Sequence, residues 1–313
     1  MEWGYLLILF NSVLMCVMTA LRKEYQRKAD ATIKSTLIFM GISSVFVCSI
    51  GIGYCLFTDF SLIKHADVFV VGLSALFALI LTINTCLCIF GAKYGSLAII
   101  TTFATLGTLV ISTVYGLISD PVKNKLSVFN WIGFGLAIVI IVLSFIGNKK
   151  EKMAANESER KNRRIFIFIC LAIFLFNGSA LSVYSIFTSK RAGYGGFNFI
   201  FLYLFFCVLI CGLVLTILYL ISKKKNTEFS IGGNVKGKPL ICSLIYGVVF
   251  FFAEFCALRT TSILPIVIQA PLSFAMNVVI VAIVDYLVYK QKLTIVQFVQ
   301  IGLAITSGVF FAL

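Results

Sequence analysis

One carboxyl residue, Glu254, lies in the middle of a strongly apolar stretch that reads VVFFFAEFCALR, five residues before Arg259. A carboxylate in membrane hydrocarbon costs about 2.5–3.5 kcal/mol, so it must face a cavity, a charged partner or a proton. Two interpretations follow. Glu254 either exchanges protons or pairs with a cationic ligand, or it lies near the membrane edge and reaches water or Arg259.

Uncharged polar residues recur in similar apolar surroundings. A buried amide or hydroxyl needs a hydrogen-bond partner, which either a bound polar molecule or a neighbouring helix supplies. Asn11 and Asn177 are the stronger candidates because they occupy the same position in two matching tetrapeptides, LFNS and LFNG, which lie 166 residues apart. The candidate substrate-binding or coupling residues are Glu254, Asn11, Asn177, Asn84, Tyr184, Tyr246 and Gln269.

Two prolines, Pro265 and Pro271, are candidate helix breaks in the ninth apolar run. Pro271 cannot donate a hydrogen bond to the carbonyl of Val267, so a helix there should kink and free a polar backbone group. Next to Gln269, that group is either a weak point at a binding site or part of a purely structural kink.

Residue types for catalysis are scarce. The single histidine, His65, lies beside charged residues in a short predicted loop, which favours a solvated side chain. All ten cysteines fall inside apolar runs without the spacing of a disulfide framework or zinc site. We therefore predict no catalytic residues, metal site or cofactor.

The composition determines the class of protein. Hydrophobic residues make up 60% and charged residues 12% of the 313 residues, and the mean hydropathy is +1.05. Soluble domains have roughly 45–50% and about 25%. The sequence therefore predicts a membrane protein with ten helical spans, too long for barrel strands: 4–21, 35–57, 68–92, 96–118, 128–147, 165–188, 197–222, 240–258, 262–288 and 294–313.

The net charge of +14 comes from short loops beside these spans, which indicates contact with anionic lipid headgroups and no nucleic-acid partner. Odd-numbered loops carry 20 Lys and Arg residues and even-numbered loops carry 6. The positive-inside rule then predicts cytoplasmic odd loops, with both termini outside. We expect a multi-pass protein of the cell membrane.

The chain contains an internal repeat. Residues 125–138 (KLSVFNWIGFGLAI) and 292–305 (KLTIVQFVQIGLAI) share six of fourteen positions. The polar stretch 148–164 is predicted to be a basic cytoplasmic linker between the repeats 1–147 and 165–313. Because five spans is an odd number, the second copy must enter the membrane inverted. The predicted fold is all-α, with ten transmembrane helices in two inverted five-helix repeats around a central cavity.

The sequence resembles the ten-helix drug/metabolite transporter superfamily, specifically its EamA-like branch. The most specific region is 258–308, which carries a mid-helix proline, an acidic residue near a helix end, a Leu-Thr pair and a glycine in the last span. The matching positions are Pro271, Asp285, Leu293, Thr294 and Gly302, with Lys93–Ser96, Asp120, Leu126, Ser127 and Gly135 in the first half. The first half lacks the proline, and Asp replaces the usual Glu at both acidic positions.

The resemblance implies a secondary transporter, an exporter or exchanger that works by alternating access, of a small polar metabolite such as an amino acid or amine. Protons are a candidate coupling partner, and we expect a monomer or homodimer. Two alternatives stay open: a lipid or lipid-linked sugar translocase of the same fold, and, more remotely, a membrane enzyme. The family generally has cytoplasmic termini, in conflict with the charge distribution.

Overall fold

The structure is a computed structural model that describes residues 2–29, 32–57, 67–91, 94, 97–121, 126–147, 157–190, 196–224, 236–287 and 295–312. Over these residues the chain is all-α, as predicted, with ten helices. They are α1 (Glu2–Lys28), α2 (Ile33–Phe57), α3 (Val68–Gly91), α4 (Leu97–Ser119), α5 (Val128–Gly147), α6 (Glu157–Lys190), α7 (Gly196–Lys224), α8 (Lys238–Ile263), α9 (Ile266–Leu287) and α10 (Ile295–Ala312).

Six of these helices (α1, α2, α3, α6, α7 and α8) are long and apolar enough to cross a membrane. Shorter apolar segments lie in α4, α5 and α9. Large apolar side chains such as Phe168, with 73% of its surface exposed, and Leu213, with 62%, point outward, where lipid would cover them. The chain is therefore a multi-pass helical membrane protein. A membrane-spanning role for the other four helices stays a prediction.

Local sequence signals explain where several helices begin. The Asp67 carboxylate accepts a hydrogen bond from the Val70 N–H at 2.8 Å and so caps α3. Ser127 and Asn130 form a reciprocal cap at the start of α5: the Ser127 N–H donates to Asn130 Oδ1 at 2.8 Å, and the Asn130 N–H donates to Ser127 Oγ at 3.2 Å. Pro239 lies in the first turn of α8, where a missing N–H costs nothing.

Two helices extend beyond their predicted spans. Helix α1 continues to Lys28, seven residues past the predicted end at 21, so Arg22 is helical and does not lie in a loop. Helix α6 begins at Glu157, inside the predicted linker 148–164. The division of the chain at this linker stays a prediction. Residues 157–164 read ESERKNRR, and Glu, Arg and Lys are good helix formers. Residues 148–156 lie outside the described part of the chain.

The predicted ninth span, 262–288, is also corrected at its start. Helix α8 continues to Ile263, and the helical conformation is interrupted at Leu264 and Pro265. Pro265 therefore lies between two helices, and its carbonyl accepts hydrogen bonds from the N–H groups of Ile268 and Gln269, both at 3.0 Å. Pro271 does lie inside α9, as predicted. A proline is tolerated at a helix start because the first N–H groups have no helical partner.

The helices of the two predicted repeats pack against each other. Helix α1 packs on α8, and α6 packs on α3. Helix α4 packs on α6, and α1 packs on α9. Three further pairs, α2 with α7, α4 with α9 and α5 with α10, also cross between the halves. The largest hydrophobic core joins residues of both halves, including Phe77, Phe199 and Tyr203. The halves therefore form one bundle.

Helices α4 and α6 meet backbone to backbone. A Cβ atom added to Gly107 on α4 would lie 1.9 Å from the carbonyl oxygen of Phe174 on α6, and one added to Gly178 would lie 2.4 Å from the carbonyl oxygen of Gly107. Ser112 Oγ donates to the Gly178 carbonyl at 3.1 Å. Small residues at the contact allow the two backbones to approach closely. The resulting van der Waals packing stabilises helix pairs in membranes.

Candidate functional site

A cavity of about 200 Å³ lies inside the bundle and is lined by α1, α3, α4, α6, α8 and α9. An apolar cavity of about 150 Å³ holds one benzene molecule, so this space suits a small metabolite. Six of the seven predicted site residues line it: Asn11, Asn84, Asn177, Tyr184, Glu254 and Gln269. Tyr246 does not line the cavity but contacts a residue that does.

Glu254 faces this cavity from α8 and is partly buried. Its electrostatic partner is Arg22 on α1. Arg259 is exposed, and it lies five residues along the helix from Glu254, about 140° around the axis. Within the described ranges, no ion pair or hydrogen bond engages the Glu254 carboxyl group. Arg22 and Glu254 therefore share the cavity without a direct ion pair between them among the described residues.

Arg22 is the site residue that sequence reasoning missed. Its Nε donates to the Tyr246 hydroxyl at 3.1 Å, and its Nη2 donates to the same oxygen. Tyr246 is buried, and its ring packs on Phe39, at 4.6 Å between centroids, and stacks on Phe250, at 5.8 Å. The hydrogen bonds to Tyr246 orient the Arg22 side chain towards the bundle. Its place at the polar end of an apolar run had indicated a cytoplasmic loop.

Asn177 ties three helices together. Its Nδ2 donates to the Ala104 carbonyl at 2.8 Å and to Thr108 Oγ1 at 2.9 Å, both on α4. Its Oδ1 accepts a hydrogen bond from Asn84 Nδ2 on α3 at 3.0 Å. Both polar atoms of the Asn177 amide are therefore satisfied within the bundle. These bonds match the alternative in which helix contacts, and not a ligand, satisfy the amide.

We expect Asn177→Ala to lower the free energy of unfolding by about 2 kcal/mol, because it removes three hydrogen bonds worth about 0.6 kcal/mol each in membrane bundles. Thermal unfolding in detergent would show this as a lower midpoint. Asn11→Ala is the matched control, since no side-chain hydrogen bond engages the repeat-related Asn11 within the described residues. Equal midpoints for the two variants would contradict this assignment of roles.

Gln269 is also held by its neighbours. Its Oε1 accepts a hydrogen bond from Thr261 Oγ1 at 2.9 Å, and its Nε2 donates to the Ala257 carbonyl at 3.2 Å. Both partners lie on α8, so Gln269 joins α9 to α8 across the break at Pro265. With 2% of its surface exposed, its geometry fits a structural role.

Three other polar atoms at the cavity have no hydrogen-bond partner among the residues that the structure describes. They are Asn11 Oδ1, Asn84 Oδ1 and the Tyr184 hydroxyl, which come from α1, α3 and α6. Asn84 is 7% exposed and Tyr184 is 3% exposed. A buried polar group without a hydrogen bond costs about 1–3 kcal/mol. A polar ligand in the cavity would supply the missing partners, so these atoms favour the ligand-binding interpretation for their residues.

The cavity has balanced charge and little reactive chemistry. Arg22 and Glu254 are the only charged residues among the described residues that line it. Within the part of the chain that the structure describes, no three His, Cys, Asp or Glu residues lie close enough to hold a metal ion. Each of the nine described cysteines is buried or partly buried. His65 lies outside the described residues. The arrangement can bind and orient a small polar molecule.

Comparison with known proteins supports the fold. The structure is similar to a crystal structure of another protein, with a TM-score of 0.66, 11% sequence identity, and coverage of 99% of this chain and 96% of that chain. At this identity the likeness establishes the fold and not the function. No protein-family model matches the sequence, and no curated protein sequence matches it. The resemblance to the EamA-like transporters therefore stays a prediction.

Proposed function

We propose that the protein is a secondary transporter that moves a small polar metabolite across the cell membrane by alternating access. The observation that carries the proposal is the cavity inside a multi-pass bundle, where Arg22, Glu254 and three unpartnered polar atoms meet. A purely structural cavity would have no reason to keep two opposite charges apart, because each buried charge costs free energy until it is paired.

The packing supports two inverted five-helix repeats within this proposal. If α1–α5 correspond to α6–α10, the contact of α1 with α8 is equivalent to that of α6 with α3, and the contact of α4 with α6 to that of α9 with α1. Under the same correspondence, exchanging the two halves maps each of the pairs α2–α7, α4–α9 and α5–α10 onto itself. The cavity is lined by the first, third and fourth helix of each half. A two-fold axis in the membrane plane produces this pattern.

The repeat-related asparagines differ in a way that supports two alternating conformations. Asn177 on α6 bonds to α4, and the backbones of these helices touch at Gly107 and Gly178. Asn11, its counterpart on α1, faces the cavity with an unpartnered Oδ1. If the halves exchange their conformations, Asn11 would bond to α9 and Asn177 would be released. One side of the cavity would close as the other opens.

Glu254 is the coupling group in this proposal. Its carboxyl group has no hydrogen-bond partner among the described residues, so it can bind either a proton or a cationic group of the substrate. Because one carboxylate cannot hold both, binding of one releases the other. Coupling of substrate to a proton gradient follows from this competition.

A ligand panel tests this function. Purified protein would be unfolded by heat in the presence of amino acids, amines, nucleosides, sugar phosphates and short-chain lipids. A ligand at one hundred times its dissociation constant adds about 2.7 kcal/mol, which raises the melting temperature measurably. We expect a hit among the amino acids or amines that disappears in Glu254→Gln. A hit only among lipids would contradict the proposal in favour of a lipid translocase.

A further inference from the structure

The two charges of the cavity point to one class of substrate. Resting on the proposed function, we infer that the transported molecule is a zwitterion of zero net charge, with its anionic group bound to Arg22 and its ammonium group bound to Glu254. Both charged residues line the same cavity, and among the residues that the structure describes no other charged residue lines it.

Arg22 has the capacity to bind an anion. A guanidinium carries five N–H donors, and two of them bond to the Tyr246 hydroxyl. The other three have no partner within the described residues. Planar N–H pairs of this kind bind carboxylates well. The ring of Tyr246, 5.2 Å from the guanidinium carbon, also stabilises the cation. Tyr246 is therefore a positioning residue for an anion subsite.

Glu254 and Arg22 line the same cavity without a direct ion pair among the described residues. Helices α1 and α8 are antiparallel neighbours, since Gly4 packs on Leu264 and Arg22 bonds to Tyr246. Glu254 lies eight residues beyond Tyr246, about 12 Å along α8. The two side chains interact electrostatically, yet no ion pair within 4.0 Å joins them. A molecule with both charges can satisfy both residues at once.

A molecule with one charge cannot do so. An amine would neutralise Glu254 and leave Arg22 without a counter-charge, and a carboxylic acid would do the reverse. Removing one member of a buried charge pair is strongly unfavourable because the other charge stays uncompensated. The unpartnered atoms of Asn11, Asn84 and Tyr184 complete the site, and two of these side chains are more than nine-tenths buried. A volume of about 200 Å³ suits one amino-acid-sized molecule.

Matched compounds test this inference. Leucine would be compared with 3-methylbutylamine, which lacks its carboxylate, and with 4-methylpentanoate, which lacks its ammonium group. Alanine, phenylalanine, β-alanine and γ-aminobutyrate, each with the corresponding amine and acid, would vary the side chain and the charge separation. For the best zwitterion, we expect binding at least about tenfold tighter than for either matched compound, since charged hydrogen bonds exceed the 1.4 kcal/mol that a factor of ten represents.

Variants of Arg22 and Glu254 test which residue binds the anionic group of the zwitterion and which binds its ammonium group. Arg22→Gln should bring the affinities of the zwitterion and its matched amine within about twofold, and Arg22→Lys should keep part of the difference because it keeps the charge. Glu254→Gln should bring the affinities of the zwitterion and its matched acid within about twofold. If Arg22→Gln does not fold, Tyr246→Phe serves instead. It removes the oxygen that orients Arg22, and it should lower the preference over the amine while leaving the preference over the acid.

The outcomes separate this inference from the proposed function. An amine or an acid that binds more tightly than its matched zwitterion overturns the inference and leaves a transporter of another substrate class. A wild-type preference that survives Arg22→Gln overturns the role of Arg22. Absence of binding across all matched sets and the wider metabolite panel overturns both the inference and the proposed function.

Discussion

Gradient-driven uptake is expected to fall by about 100-fold in Glu254→Gln, because the loss of a buried charged hydrogen-bond partner costs about 2–5 kcal/mol. The variant keeps the size of the side chain. Within the described residues, no bond to the carboxyl group would be broken. The protein should therefore fold, and its melting temperature without ligand should stay close to that of the wild type.

Two controls make this expectation sharp. Asp120→Asn removes an exposed carboxyl group beyond the end of α4, outside the residues that line the cavity, and should reduce uptake far less than Glu254→Gln. Glu254→Asp keeps the charge with a shorter side chain and should retain part of the activity. The measurement is uptake of the best ligand into vesicles under a proton gradient. Full uptake by Glu254→Gln would remove Glu254 from the mechanism.

Gly107→Ala is expected to cause the largest loss of stability. The added methyl group would overlap the Phe174 carbonyl, a backbone atom that cannot rotate away, so α4 and α6 must separate. Overpacking costs about 1–3 kcal/mol and more where backbone must move. Separation would also strain the hydrogen bonds from Ser112 and Asn177. We expect a loss of at least about 3 kcal/mol or a failure to fold.

Gly135→Ala and Gly212→Ala are the matched controls, because a Cβ atom at either glycine meets no atom of the described residues within 4 Å. In a helix interior, alanine is favoured over glycine by about 1 kcal/mol, so these variants should be neutral or slightly more stable. Melting temperatures of the three variants in the same detergent measure the difference. A Gly107→Ala protein as stable as the controls would show that α4 and α6 do not touch at this point.

The helices were predictable because apolar runs of membrane-spanning length have few other stable forms. Their ends were less predictable. Residues 22–28 and 157–164 are polar, and polarity alone cannot tell a loop from a helix that continues beyond the apolar core. At Pro265, the sequence indicated a break inside a span, whereas the chain begins a new helix there. A proline is compatible both with a kink inside a helix and with the start of a new helix. The two cases differ in where α8 ends: the predicted span ends at 258, whereas the helix continues to Ile263.

The residues around the cavity were partly predictable. A polar residue in an apolar helix faces the bundle interior, and this rule found Asn11, Asn84 and Tyr184. It could not distinguish these residues from Asn177 and Gln269, whose amides are satisfied by other helices. For Asn177 that difference depends on contacts with α3 and α4, which are 69 to 93 residues away along the chain. For Gln269 it depends on how α9 packs against the end of α8 across the break at Pro265.

Arg22 carried a signal that helical spacing could have revealed. It follows Asn11 by eleven residues, which returns it to within about 20° of the same face of a continuous helix. The signal has meaning only if α1 continues past residue 21. The positive-inside rule treats every Lys and Arg near the end of a span as a loop charge, so it places Arg22 in the cytoplasm. The structure places Arg22 beside the cavity.

Counterflow in reconstituted vesicles tests the central claim most directly. Vesicles that contain the protein would be loaded with the unlabelled compound that gives the largest thermal shift and then exposed to the same compound with a radioactive label. Alternating access predicts faster and larger accumulation of label in loaded vesicles than in empty ones, and no such difference with Glu254→Gln. Equal, slow entry of label into loaded, empty and protein-free vesicles would contradict transport by this protein.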